Sequence, residues 1–409
     1  MEALLKLAFG YAVKVGDLTV VTSRGRTLRF GDGTGAPVRV RFKDAAAERA
    51  LVLDPAMKLG ELFTDGRLLV EQGTIYDLLY LMLRDLRDMK PPLLFRLVDQ
   101  VQLALWRWLP KNKPERSRRN VAHHYDLGDE LYALFLDPDW QYSCAYFEHP
   151  GQSLADAQLA KKRHIAAKLL IEPASTVLDI GSGWGGLALY LSKVAGAAAV
   201  TGVTLSEEQI ARARLRTEAA ALTDRVAFRL EDYRAVQGRF DRIVSVGMFE
   251  HVGLGFYDEF FRTSRRLLAD KGVMLLHTIG SASTPGPTNP WILKYIFPGG
   301  HIPSLSDIVP PIERAGLIAT DIEMLGPHYA ETLLAWRTNF MARRDDAVRL
   351  YDERFCRMWE FYLALSEVAF RTNDITIYQI QLSRERQAVP LTRDYMPTAE
   401  AALRARETA

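Results

Sequence analysis

The chain has 409 residues, 48% hydrophobic and 25% charged, enough for one large domain and a smaller partner and too apolar for disorder to be the default. Its formal charge of +2 makes no case for a nucleic-acid partner. An anionic surface would have to be met by a local patch, and Lys111, Lys113, Arg116, Arg118 and Arg119 form the densest one. The two cysteines, Cys144 and Cys356, lack metal-ligand spacing and the density of a disulfide scaffold, so a reducing cytoplasm is expected.

The opening stretch MEALLKLAFGYAVKVGD is broken by Lys6 and Lys14 and does not read as a signal peptide. Up to about residue 110, strand-like runs (LTVVTS, VRVRF, ALVL) alternate with helical ones, and GDGTGAP supplies a turn between strands, which predicts a small α+β domain. The segment 93–110 carries Trp106 and Trp108 but is interrupted by Arg96, Asp99 and Arg107, too charged to span a bilayer. It reads either as a packing helix or as an interfacial anchor. KNKPERSRRN then reads as an exposed linker, placing a boundary near 115 and dividing the chain into 1–115 and 116–409.

From about 174 the pattern becomes strand then helix: STVLDI, GLALYLSKVA; AAVTGVTL, SEEQIARARLRTEAA; VAFRL; DRIVSVG, FYDEFFRTSRRLL; GVMLLHTI. Near-continuous apolar strands separated by amphipathic helices predict an α/β fold, a doubly wound and mainly parallel sheet that binds its ligand beyond the carboxyl ends of the strands. The Pro- and Gly-rich segment 280–304 is too long for a simple connection and is expected to be a functional loop. Helices around 330–345 and 347–372 should lead into a late strand, ITIYQIQLS.

VLDI runs directly into GSGWGG, so Gly181, Gly183, Gly185 and Gly186 fall at a strand-to-helix turn. Glycines there let backbone approach a ligand closely, and the helix start offers unpaired N–H donors. No GK[ST] follows, and the spacing GxGxGG does not complete the dinucleotide fingerprint. DxGxGxG is instead the pattern of S-adenosylmethionine methyltransferases, with Asp179 either orienting the cofactor's amino group or serving as a helix-capping carboxylate. The second strand ends without the usual ribose-binding acid. Thr204, Ser206 and Gln209 are the substitutes, and Ser206 is equally a natural N-cap.

The segments HYDLGDELYALFLDPDWQYSCAYF, AKKRHIAAKL, VLDIGSGWGG, GVTLSEEQ, DRIVSVGMFEHVG, LLHTIG, NPWILKYIFPGG and HYAETLLAW resemble, in order, the cyclopropane fatty acid synthase family across residues 120–385. The resemblance implies a Rossmann-like class I methyltransferase domain behind a smaller lipid-binding domain. It further implies S-adenosylmethionine as cofactor and transfer of a methylene to the double bond of an unsaturated phospholipid acyl chain. A bicarbonate ion would act as base, held by Cys144, Glu250, His277, the backbone at Ile279, and Tyr329. Implied cofactor contacts are Tyr142 and Ser143; the turn with Asp179, Gly181, Ser182, Gly183, Trp184 and Gly185; Thr204, Ser206 and Gln209; and Asp232 and Tyr233. Peripheral attachment to the anionic inner face of a membrane, and a homodimer, are also implied.

Taken singly, Cys144 reads equally as a small buried hydrophobe, His277 as a satisfied strand histidine and Tyr329 as a core ring. His251 and His124 stand apart from the five, and His251 reads as structural. Two positions depart from the family: Ser182 and, in the late helix, Ser366 stand where other members carry cysteine. The competing outcomes are a methyl- or methylene-branched chain and a catalytically silent lipid-binding scaffold.

Overall fold

The structure, a computed structural model, describes residues 1–85 and 128–408. The 93–110 stretch, the basic run 111–119, the boundary near 115 and His124 lie outside the described residues. One unit takes in residues 1–85, 286–298 and 330–375, and the other 128–285, 299–329 and 376–408. The smaller unit thus includes two later segments that a single division of the chain near 115 assigns to the larger domain.

In the first unit, strands β1 (Asp17–Val21), β2 (Thr27–Phe30), β3 (Pro37–Phe42) and β4 (Leu68–Gln72) form a sheet in the order β2-β1-β3-β4. Helices α1 (Glu2–Ala12), α2 (Ala45–Leu53), α3 (Pro55–Thr64) and α4 (Ile75–Leu83) accompany it. The ALVL run, expected as a strand, is the last turn of α2. Asp44 caps that helix by accepting from Ala47 N at 2.8 Å, and Ala47 and Leu51 are buried one turn apart while Leu53 is 84% exposed. GDGTGAP does join two strands, β2 and β3, the first of which was not foreseen. The later helices Arg344–Leu350 and Glu353–Thr372 belong to this unit, and Ser366 lies half-buried on the second.

The second unit begins with α5 (Asp129–Phe135) and α6 (Leu154–Leu169), followed by β5 (Thr176–Ile180), α7 (Gly186–Lys193), β6 (Ala199–Thr204), α8 (Glu207–Ala219), β7 (Val226–Leu230), β8 (Phe240–Val246), α9 (Tyr257–Leu267) and β9 (Leu268–Ser281). Two late strands, β10 (Ile318–Met324) and β11 (Ile375–Ser383), complete a seven-stranded sheet of order β10-β11-β9-β8-β5-β6-β7. The pairs β5–β6, β6–β7, β5–β8 and β8–β9 are parallel and β10–β11 is antiparallel.

Both faces are covered, as the apolar strands require. Leu178 and Ile180 of β5 join one buried cluster with Phe249 and Phe260, whereas Val177 joins another with Leu187, Ile210 and Leu275. The chain leaves β5 toward β6 on one side and later returns to β8 on the other, so the carboxyl ends of β5 and β8 form the topological switch point. The segment 280–304 holds one short helix, Pro290–Tyr295, whose start is capped by the Asn289 side chain.

Candidate active site

At the switch point the β5–α7 turn requires glycine, because Gly181, Gly183 and Gly185 have φ of 82°, 52° and 83°. Gly181 N and Ser182 N both donate to Val203 O, at 2.9 and 3.1 Å, which holds the turn against the end of β6. A Cβ on Gly181 would meet Met248 at 2.7 Å and one on Gly185 would meet Phe228 at 2.7 Å, whereas one on Gly183 would meet nothing within 4 Å. The open side of Gly183 is therefore the side a ligand can approach. Next to it, Asp179 Oδ2 and Ser182 Oγ are buried with no hydrogen-bond partner among the described residues. Burial pushes the Asp179 carboxyl up to about 7, an effect that the nearby Lys161 charge moderates.

The opposite wall is the loop 137–147. Asp137 ties its turn together by accepting from Asp139 N and Gln141 N, each at 2.9 Å, while Trp140 adopts a left-handed φ of 59°. Asp139 is anchored by Lys162 at 2.7 Å and by Arg216. Beneath the loop, Lys161 of α6 donates to Gln141 Oε1 at 2.6 Å and to Ser143 Oγ at 2.8 Å, and Gln158 Nε2 donates to Ser143 O at 2.9 Å. Burial lowers the Lys161 ammonium to about 8. Tyr142 packs edge-on against Tyr132, which packs edge-on against Trp184 at 4.9 Å, so the YSC segment and the glycine turn share one aromatic support.

The resulting cleft is lined by Tyr142, Ser143, Asp179, Gly181, Ser182, Gly183, Trp184, Thr204, Gln209, Asp232 and Tyr233 among the residues singled out from sequence. Gly185 and Ser206 are not on that wall. Gly185 is hemmed in by Phe228 and Ala213, and Ser206 caps α8 by accepting from Gln209 N at 3.3 Å. Sequence reasoning missed Trp140, Gln141, Glu231, Met248 and the backbone of Gly247. His251, read as structural, also lines the cleft, and burial lowers it to about 4. The signal for these was adjacency: each sits within three residues of a motif position already chosen.

The five residues assigned to an anion lie beside this cleft rather than on its wall. Glu250, on the turn after β8, accepts from Ile279 N of β9 at 2.6 Å through Oε1, while its Oε2 is buried without a partner among the described residues. Burial raises the Glu250 carboxyl, against the pull of the Ile279 N–H. His277 is two residues before Ile279 and so shares its face of β9. Its Nδ1 is 3.2 Å from Gln379 Nε2, and its Nε2 is buried with no partner among the described residues. Burial, helped by Lys161 and Lys168, lowers the imidazole to about 3, so it is neutral.

Cys144 is buried next to Ser143 and donates to Ala145 O at 3.2 Å. Tyr329, 9% exposed, lies in the first turn of the helix Gly326–Ala342. That helix start is held to the loop bearing Cys144, because Phe147 N donates to His328 Nδ1 at 3.0 Å and Tyr146 stacks on His328 at 4.8 Å.

A family profile described as "Mycolic acid cyclopropane synthetase" matches residues 112–380. The chain is 39% identical over 349 residues to a cyclopropane-fatty-acyl-phospholipid synthase of Escherichia coli strain K12, covering 85% of this chain and 88% of that one. It is 40% identical over 289 residues to the tuberculostearic acid methyltransferase UfaA1 of Mycobacterium tuberculosis, covering 68% and 67%. Among solved structures it is similar to the mycolic acid cyclopropane synthase CmaA1 complexed with SAH and CTAB, with a TM-score of 0.62, 34% identity, and coverage of 65% of this chain and 97% of that one.

Proposed function

The chain belongs to the mycolic acid cyclopropane synthetase family, and we propose that it uses S-adenosylmethionine to build a cyclopropane ring on the double bond of an unsaturated phospholipid acyl chain. One observation carries the reading: among the described residues, a buried acceptor, Glu250 Oε2, and a buried ring nitrogen, His277 Nε2, both lack partners beside a cleft where Asp179 Oδ2 and Ser182 Oγ also lack them. Buried polar atoms are normally satisfied, so such a group of orphans points to ligands.

The residues fit the cofactor. Asp179 supplies a carboxylate for an α-amino group, Thr204 and Gln209 supply polar groups at the end of β6, and the glycine turn admits close approach. When bound, S-adenosylmethionine supplies an activated methyl group. The chain's work is to hold the alkene in line with it and to exclude water, since an isolated alkene is a weak nucleophile. Aromatic faces near the cleft, of which Tyr142 is one, suit charge developing on the acyl chain.

The residues also fit a small anion that both donates and accepts. Glu250 Oε2 can accept from the hydroxyl of bicarbonate, and His277 can donate to an oxygen. Bicarbonate, when bound, supplies the base that takes a proton from the added carbon. Cys144 and Tyr329 complete the pocket in this proposal, with Ile279 holding Glu250 in place. Ser366 lies on a helix of the other unit, and no role in the chemistry is assigned to it.

The test is mass spectrometry of acyl chains after incubation with unsaturated phospholipid vesicles, bicarbonate and methyl-deuterated cofactor. Addition of one methylene that retains two of the three deuteriums and survives mild hydrogenation supports ring formation, and no addition refutes the proposal. Retention of three favours the second reading, a methyl-branched product, which the similarity to a relative named as a methyltransferase supports. Action from the cytoplasmic side at an anionic bilayer surface belongs to the same proposal. No described helix is long and apolar enough to cross a membrane. Vesicle co-sedimentation indifferent to anionic lipid would count against surface attachment.

A further inference from the structure

The geometry points to a hydrogen-bonded device, Lys168–Gln379–His277, that fixes the proton of His277 on the nitrogen facing the anion. Lys168 of α6 pairs with Glu323 of β10 and donates to Gln379 Oε1 of β11 at 2.9 Å. An ammonium has only donors, so it must face the oxygen of the Gln379 amide rather than its nitrogen. The amide is fully buried and cannot turn toward water. Its Nε2 is therefore left to donate to His277 Nδ1 at 3.2 Å.

With Nδ1 accepting, a neutral ring carries its proton on Nε2, the atom that is buried without a partner among the described residues. The reverse amide orientation would set the Gln379 NH₂ against the Lys168 ammonium and its oxygen against Nδ1, demanding the other tautomer. The ammonium is secured from behind. Glu323 is held down to about 2, burial being outweighed by His164 and Lys168, and its Oε2 is also 2.7 Å from His164 Nε2. His164 Nδ1 is in turn 2.5 Å from Glu400 Oε1. The charged groups around His277 are thus Lys161 and Lys168, with Glu323 and His164 behind them. Lys168 and Gln379 are positioning residues that act through His277 and touch no substrate.

The device rests on the proposed function for the identity of the anion, but the tautomer can be read without it. The full chain labelled with ¹⁵N-histidine would be followed by long-range ¹H–¹⁵N correlation, with His277 assigned by its loss in His277→Asn. The wild type should show a protonated Nε2 and an unprotonated Nδ1. In Gln379→Glu the carboxylate accepts from Nδ1, so that nitrogen becomes protonated. In Lys168→Met the amide is released and both tautomers appear, which gives a second readout should the first variant fail to fold.

Loss of one preorganised donor should lower kcat for ring formation by about 100-fold in Gln379→Glu, with cofactor KM nearly unchanged. A wild-type His277 protonated at Nδ1 overturns the inference. So does a tautomer unchanged in both variants, which would make any loss of kcat merely structural. Correct tautomers in a wild type that forms no ring would sink the proposed function and leave the device standing.

Discussion

Cofactor binding should be coupled to the ionisation of Asp179. Burial, with one oxygen unpartnered among the described residues, pushes the carboxyl up to about 7, and among those residues Lys161 alone offsets it. A protonated Asp179 cannot pair with an α-amino cation, so its proton must leave before or during binding. With a carboxyl of about 7, the ionised fraction falls from about three-quarters at pH 7.5 to about one-tenth at pH 6.0. A ligand α-amino group near 7.8 gains a little protonation over the same window, which partly offsets the loss. The net expectation is about sixfold weaker affinity at pH 6.0, or ~1 kcal/mol.

His251 stays neutral across that range, being lowered by burial to about 4, and Lys161, at about 8, stays largely charged. Titration calorimetry with S-adenosylmethionine in buffers of different ionisation enthalpy would give both the affinity and the number of protons released. Asp179→Asn should bind more weakly at pH 7.5 and lose the pH slope. A wild-type affinity that is flat from pH 6.0 to 7.5, or a slope that persists in Asp179→Asn, refutes the assignment.

Glu250→Gln should keep cofactor affinity and lose about 100-fold in turnover, since it removes a partner of the proposed anion beside the cleft without touching the cleft wall; steady-state kinetics and calorimetry on the same preparation check both halves. For His164, burial lowers the pKa but the bonds to Glu323 and Glu400 more than compensate, so the folded value lies above the ordinary 6.5. The folded state therefore holds this proton more tightly, and the stabilisation is complete below pH 6.5 and lost as pH rises through the folded value. Urea midpoints should fall over that rise, and by less in Glu400→Gln. In the first unit, Gly60→Ala would place a Cβ 2.5 Å from the Trp291 indole and 2.7 Å from the Phe361 ring. Overpacking against two rigid aromatics costs about 1–3 kcal/mol, more than the ~1 kcal/mol gained by removing a helical glycine, so thermal unfolding should move to lower temperature.

What could be read from sequence, and what could not, follows from how far apart the interacting residues lie. The strands β5, β6, β8 and β11 each hold consecutive buried residues, so both faces are covered, and their β-branched valines, isoleucines and threonines advertise them. The glycine turn was equally legible, because positive φ at three positions within five residues leaves no other residue type comfortable. β10 was not foreseen, since as an edge strand it has a single buried residue in its seven. ALVL misled because four apolar residues do not distinguish a strand from the end of a helix; the deciding signal was Asp44, a cap six residues upstream.

The proposed anion site follows the same logic at longer range. Glu250, His277 and Ile279 stand near motif edges, so resemblance could name them, but their electrostatic setting is assembled from elsewhere. Lys168 is 211 residues from Gln379 and 155 from Glu323, and Gln379 is 102 from His277. Each of those side chains alone is an ordinary helix lysine or strand glutamine. Only the sheet order, which sets β11 beside β9 and β10 beside β11, brings a lysine, an amide and an imidazole into one chain of donors and acceptors. The tautomer of the histidine is therefore a property of the topology as much as of the residue, and it is the part of the site that motif matching alone would miss.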